Sequence, residues 1–122
     1  EKPASTFVAS FIGAPPMNLL ALANGAARNA VAPPAGAATL GFRPEDAEVT
    51  HDAEAPSGAL LLPAVVEAVE PVGAESFLHC AAGSDRIVVR VAGRATAKPG
   101  DRLQVVASAE KLHWFDQAGK RV

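Results

Sequence analysis

Apolar residues recur at every second position through the second half of this chain. Over residues 86–91, Ile87, Val89 and Val91 alternate with Arg86 and Arg90; over residues 102–108, Leu103, Val105 and Ala107 alternate with Arg102, Gln104 and Ser108. Successive side chains of a strand point to opposite faces, so this spacing predicts strands with one buried and one wet face. Residues 60–70 form a longer β-rich run, with Pro63 near its start, where a missing donor does least harm. Residues 76–81 predict another strand. Pro71-Val72-Gly73 bends the chain, Gly83-Ser84 turns it, and Lys98-Pro99-Gly100-Asp101 is a strong turn signal. The first half is less regular. Residues 17–22 predict a strand, Asn24-Gly25 a turn, and residues 26–32 a weak return strand. A Pro- and Gly-containing connector covers residues 30–38. Strands follow over 40–43 and 47–50, then a polar loop over 51–58. Residues 112–115 are the last apolar segment, closed by 116–119.

One helical pattern stands apart from this. Phe7, Val8, Phe11 and Ile12 sit at i, i+1, i+4 and i+5, one apolar stripe of a short helix over residues 1–13. Pro3 suits its first turn, and Gly13 followed by Pro15-Pro16 ends it. Such a helix packs on its own domain or closes a preceding one. No second long helical pattern follows, which argues against a parallel βαβ sheet. Short strands with turns every eight to twelve residues or so predict a small antiparallel barrel or sandwich. A barrel also removes exposed sheet edges.

Composition fits a single globular domain. The chain has 122 residues, 49% apolar and 20% charged, enough apolar material to bury a core. Aromatic residues are only 5% and tyrosine is absent, so Val, Leu and Ala must build that core. The net charge of −2 and the scattered Lys and Arg residues argue against a nucleic-acid surface. The lone Cys80 excludes an internal disulfide framework and fits a reducing compartment. No run approaches the roughly 18 apolar residues of a membrane span, and the first segment lacks the basic start and apolar middle of a signal peptide. The chain begins Glu-Lys-Pro without methionine, which suggests a piece of a longer protein.

Catalytic patterns fail on their chemistry. Gly36 and Gly41 have the spacing of the two glycines of a phosphate loop, but Phe42-Arg43 stand where Lys then Ser or Thr is required. His79 and Cys80 are adjacent, so on a strand they face opposite ways and share no metal; His79 reads as a packed or edge histidine and Cys80 as a small core residue. His51 lies in a polar loop beside Asp52 and Glu54. Ser76, Ser84 and Ser108 have no histidine at a supporting spacing. Glu67, Glu70 and Glu75 form the densest acidic group, either a solvated barrel face or a polar partner surface. This piece is expected to be no enzyme, with no catalytic, cofactor or metal residues.

Leu40-Gly41-Phe42-Arg43-Pro44-Glu45-Asp46 is the most distinctive word. Proline pushes Arg43 out of the helical region, so a strand stops at a charged corner. Together with Phe7-Val8-Ala9-Ser10-Phe11-Ile12-Gly13-Ala14-Pro15-Pro16-Met17-Asn18 and Leu112-His113-Trp114-Phe115-Asp116, in this order, it resembles the ATP-binding subunits of sugar-type ABC importers. The likeness is to the domain after their ATPase core and is nearest to the glycerol-3-phosphate importer branch. It implies an OB-type (TOBE) antiparallel barrel over residues 17–122, joined through residues 1–16, a helix and hinge, to a preceding ATPase domain. It implies a regulatory and dimerisation role, with a second copy of the subunit, the ATPase domain in cis and permease subunits as partners. ATP and Mg²⁺ then belong to that ATPase domain, and the complex sits on the cytoplasmic face of the membrane. Arg43, Glu45, Asp46, Glu75, His113 and Phe115 are the expected contact or regulatory residues. On a strand His113 and Phe115 face one way and Trp114 the other; Trp114 is a core anchor or an interface anchor. The family's usual wording has an aliphatic residue where Trp114 stands. Two other functions stay open: an oxyanion or small-molecule sensor using Arg43, Arg86, Arg90 and Arg94, and a single-strand nucleic-acid module, which the sparse aromatics disfavour.

Overall fold

The computed structural model describes residues 15–24, 32–51, 58–93 and 95–122. Within them the chain forms eight strands: β1 Asn18–Ala21, β2 Thr39–Phe42, β3 Ala47–Thr50, β4 Leu60–Val72, β5 Glu75–Ala82, β6 Asp85–Ala92, β7 Arg102–Ala107 and β8 His113–Phe115. Three single 3-10 turns, Leu22–Asn24, Pro44–Asp46 and Ala109–Lys111, lie between them. The expected helix over residues 1–13 and the start of its hinge at residue 14 lie outside the described residues, as does most of the weak strand over 26–32.

All pairings are antiparallel. One sheet has the order β1-β2-β8 and the other β3-β7-β4-β5-β6. The larger sheet curls into a half-barrel, so that its two edge strands β3 and β6 pack on each other. The smaller sheet covers the opening. Leu20, Leu40 and Phe42 from it meet Leu60, Leu62, Val66, Leu78, Val89 and Val105 from the larger sheet in one core. Alternation decides which side chains arrive there. In β6 Ile87 and Val89 are buried and Arg86 and Arg90 exposed, and in β7 Leu103, Val105 and Ala107 are buried.

β4 is the organising strand. It pairs with β7 through its first half and with β5 through its second. Its register shifts between Val66 and Ala68, so Glu67 is an extra residue with no cross-strand partner. Such a bulge increases local twist and re-aims the strand, and the inward alternation of Leu60, Leu62, Ala64 and Val66 stops there. The expected bend at Pro71 comes later. Strand pairing continues through Pro71 and Val72, and the turn is Gly73-Ala74, with Gly73 at φ 65°. Pro71 needs no donor of its own in this ladder, so it does not end the strand.

The two sheets are fastened by one side chain. The buried Asn18 amide donates from Nδ2 to the Val88 carbonyl at 2.9 Å and accepts from the Val88 N–H at Oδ1 at 2.7 Å. It thus fills, with a side chain, the hydrogen-bonding pair that a neighbouring strand would offer β6. An edge that would otherwise carry unmet backbone groups is closed in this way.

Candidate interaction surface

The corner after β2 is built by Pro44. Arg43 is extended, with φ −82° and ψ 149°, as a residue before proline must be. Pro44 itself is buried, and one turn closes when the Asp46 N–H donates to the Arg43 carbonyl at 3.0 Å. The turn packs on β6.

Glu45 points its charge toward β6, where it adds to the stabilisation of protonated Arg90. The stronger influence on Arg90 is Glu75, whose Oε2 accepts from Arg90 Nη2 at 2.7 Å. Asp46 lies 3.5 Å from Lys111 Nζ, beside a recess of about 270 Å³ that Glu48, Val106 and Ser108 help to line. Arg43 acts on the other side, toward β8. There Arg121 Nη1 donates to His113 Nδ1 at 2.8 Å, so the imidazole is neutral with its proton on Nε2. Partial burial, then the Arg121 and Arg43 charges, hold the His113 pKa below its usual value, and Asp46 opposes them. The Arg121 guanidinium also lies 5.6 Å from the centre of the Phe115 ring. It gets there because Phe115 and Arg121 form an antiparallel bridge that folds the last residues beside β8.

Pairwise interactions link the six expected residues: Glu75 and Glu45 both act on Arg90, Arg43 and Asp46 both act on His113, and His113 and Phe115 both meet Arg121. Arg90, Lys111 and Arg121 are the basic partners in this set, and the Pro44–Asp46 corner connects its two halves. Only Arg90 had a local signal, its place on the wet face of an alternating strand; Lys111 and Arg121 reach it through tertiary pairing. Asn18 was visible in the sequence as part of a distinctive word, but not as a fastener.

The acidic group resolves into cross-strand pairs. Glu67 meets Arg86 at 3.0 Å, Glu70 meets His79 at 3.2 Å, and Glu75 meets Arg90. Each of the three acids thus has a cross-strand partner, two of them arginines. Cys80 is fully buried, and burial followed by the Glu67 charge pushes its thiol up to about 11. Trp114 packs partly buried against the core, on the opposite side of β8 from Phe115. Gly41 lies inside β2, under Met17, Leu19 and Phe115. Among the described residues no three His, Cys, Asp or Glu side chains converge as metal ligands, and no helix is long and apolar enough to cross a membrane.

Comparison with known proteins extends this picture. Residues 40–115 match the model of the TOBE domain. Almost the whole chain, 99%, is 44% identical to the sn-glycerol-3-phosphate import ATP-binding protein UgpC of Rhodopseudomonas palustris strain BisA53, over 37% of that protein. The whole chain is 46% identical to UgpC 3 of Agrobacterium fabrum, over 37% of it, and 43% identical to UgpC of Brucella abortus biovar 1, over 36%. The chain spans little more than a third of the length of these relatives.

Proposed function

Because this chain belongs to the TOBE-domain family, we propose that it is the C-terminal regulatory and dimerisation domain of an ABC importer's ATP-binding subunit. The solute is sn-glycerol-3-phosphate or a related sugar-class compound. The half-barrel is an OB-type barrel. The parent couples ATP hydrolysis, on its own ATPase domain in cis, to uptake through permease subunits at the inner face of the membrane. This piece hydrolyses nothing and holds neither ATP nor Mg²⁺. The single observation that carries the reading is the whole-chain identity to three such subunits, with the family match spanning β2 to β8.

The work of the domain is contact. A rigid barrel offers a second subunit the surface from Glu75 to Phe115, whose charges are of mixed sign: Glu75, Glu45 and Asp46 against Arg90, Lys111 and Arg43. A fixed arrangement of both signs favours one docking register and penalises shifted ones. A regulatory effect needs only that these contacts differ between the open and closed arrangements of the two ATPase domains. In the full-length subunit, replacing Glu45 and Glu75 together by Arg is expected to weaken self-association about tenfold or more in sedimentation equilibrium. Undiminished association would overturn the contact role of this surface.

A second reading draws on one specific observation. Arg43, His113 and Arg121 gather together, and Arg43 has no ion-pair partner among the described residues. Such a cluster suits an oxyanion, and an uptake system gains from sensing its own phosphorylated solute. A ligand at about 100 times its Kd adds roughly 2.7 kcal/mol of stability. A thermal-shift series with glycerol phosphates and inorganic oxyanions therefore tests it; no shift for any of them rejects it.

A further inference from the structure

β4 has β7 beside it from Leu60 to Val65, but it meets β5 only from Val65 onward. Where β4 and β5 part, the outer face of the larger sheet holds a recess of about 420 Å³. Pro63, Val65 and Ala81 give it an apolar floor. Val65 stands opposite Ala81 on one side and Arg102 on the other, and Pro63 stands opposite Gln104. Arg102 and Gln104 are two residues apart in β7, so they share this outer face about 7 Å from each other. His51, just past the end of β3, lines the recess as well. The polar groups here are unspent. None of the ion pairs among the described residues includes Arg102. Gln104 Oε1 is buried and accepts no hydrogen bond. No acidic side chain is among the residues that line the recess.

We infer that this recess binds a small hydroxycarboxylate. Arg102 sets the acid. Its planar fork matches the two oxygens of a carboxylate, and a single guanidinium balances a single negative charge. A phosphate dianion would leave one charge unmatched. Gln104 sets the hydroxyl. A buried acceptor with no donor is costly. The last torsion of a glutamine side chain is soft, so its amide turns into the recess when a ligand hydroxyl is there to donate to it. The ammonium of an amino acid is disfavoured, because it would meet Arg102 and find no acid on the lining. The floor of Pro63, Val65 and Ala81 seats the carbon skeleton, the usual arrangement of an apolar site with a few convergent polar groups. The spacing of Arg102 and Gln104 fits a skeleton of about three or four carbons. Arg43, His113 and Arg121 do not line the recess, so the site is separate from that cluster. It also holds whether or not the chain acts in a transporter.

Titration of the full 122-residue chain with L-lactate, propionate, glycerol and inorganic phosphate, followed by nuclear magnetic resonance, tests the site. L-lactate is expected to move the backbone amides of Val65, Ala81, Arg102 and Gln104 and the side-chain amide of Gln104. Its Kd is expected to lie about fivefold or more below that of propionate, the worth of one added hydrogen bond. Glycerol should leave these signals in place. Arg102→Gln, at an exposed position, is expected to weaken lactate binding about tenfold or more. Gln104→Leu is expected to weaken lactate but not propionate, and so to close the gap between them. Absence of lactate-induced shifts at these residues overturns the inference. So do equal affinities for lactate and propionate, tighter binding of phosphate at the same amides, and lactate binding that survives Arg102→Gln. A lactate response confined to Arg43, His113 and Arg121 overturns it too, since the anion would then belong to the other cluster.

Discussion

Asn18 shows how much one residue carries here. Its amide satisfies both the N–H and the carbonyl of Val88 across the gap between the sheets. Asn18→Ala removes two hydrogen bonds and leaves two backbone groups short of partners, so it is expected to cost about 3 kcal/mol in urea denaturation. Gly41→Ala is expected to cost about 1 kcal/mol, because the new methyl meets Met17 Sδ first. Met17 is flexible, and Gly41→Ala combined with Met17→Ala is expected to recover part of that loss in the same assay. His113 is a third case. Its pKa is lowered in the folded state, so the folded chain binds fewer protons than the unfolded one near and below the ordinary value of 6.5. The stabilisation is therefore present above that pH and is lost as pH falls through the folded pKa. A proton titration of the imidazole should give a value under 6.5, and Arg121→Gln should move it upward. At this scale the sequence was legible in identity but not in pairing. Arg43, His113 and Phe115 stood out in their own segments; that Arg121 touches both His113 and Phe115 depends on a bridge near the last described residues.

At the level of elements, period-two alternation located the strands well. The expected strand over 47–50 coincides with β3; that over 86–91 is one residue short of β6 at each end, and that over 102–108 runs one residue past β7. A strand buried on one face must repeat with period two, and a one-residue slip would turn every apolar side chain outward. The same rule failed at the Glu67 bulge, since a bulge answers to the curvature of the whole sheet and has no composition of its own. The bend expected over Pro71-Val72-Gly73 falls at its last residue: Pro71 and Val72 lie in the ladder opposite Ser76 and Glu75, and the turn begins at Gly73. Burial sorts the mutational costs along this hairpin. Leu78→Ala, at a fully buried β5 position, is expected to cost about 2–5 kcal/mol, whereas Val72→Ala, 40% exposed at the tip, is expected to cost under about 0.5 kcal/mol. Parallel urea titrations of the two variants check this contrast.

The whole molecule is held by closure. The core draws on both sheets, so neither has a buried face of its own without the other, and unfolding is expected to be a single cooperative step. Cys80 reports on it. Its sulfur is fully buried and its thiol is pushed up to about 11, so a thiol reagent at neutral pH should label it only through opening of the barrel. Labelling rates that rise with urea in step with the unfolded fraction would fit, and rapid labelling of the native chain would contradict closure. The sequence by itself determined the class of structure: strand positions, inward residues, the charged corner forced by Arg43-Pro44, and the family word that contains it. These follow from local rules, period-two alternation and the steric demands of proline, that act over a few residues. Only the tertiary structure decided the curl that brings β3 to β6, the Asn18 fastening, the pairing of Glu67, Glu70 and Glu75, and the gathering of Met17, Leu19 and Phe115 over Gly41. Each of these joins residues far apart in the chain, and such partners are selected by the geometry of a closed core, to which a linear pattern is blind.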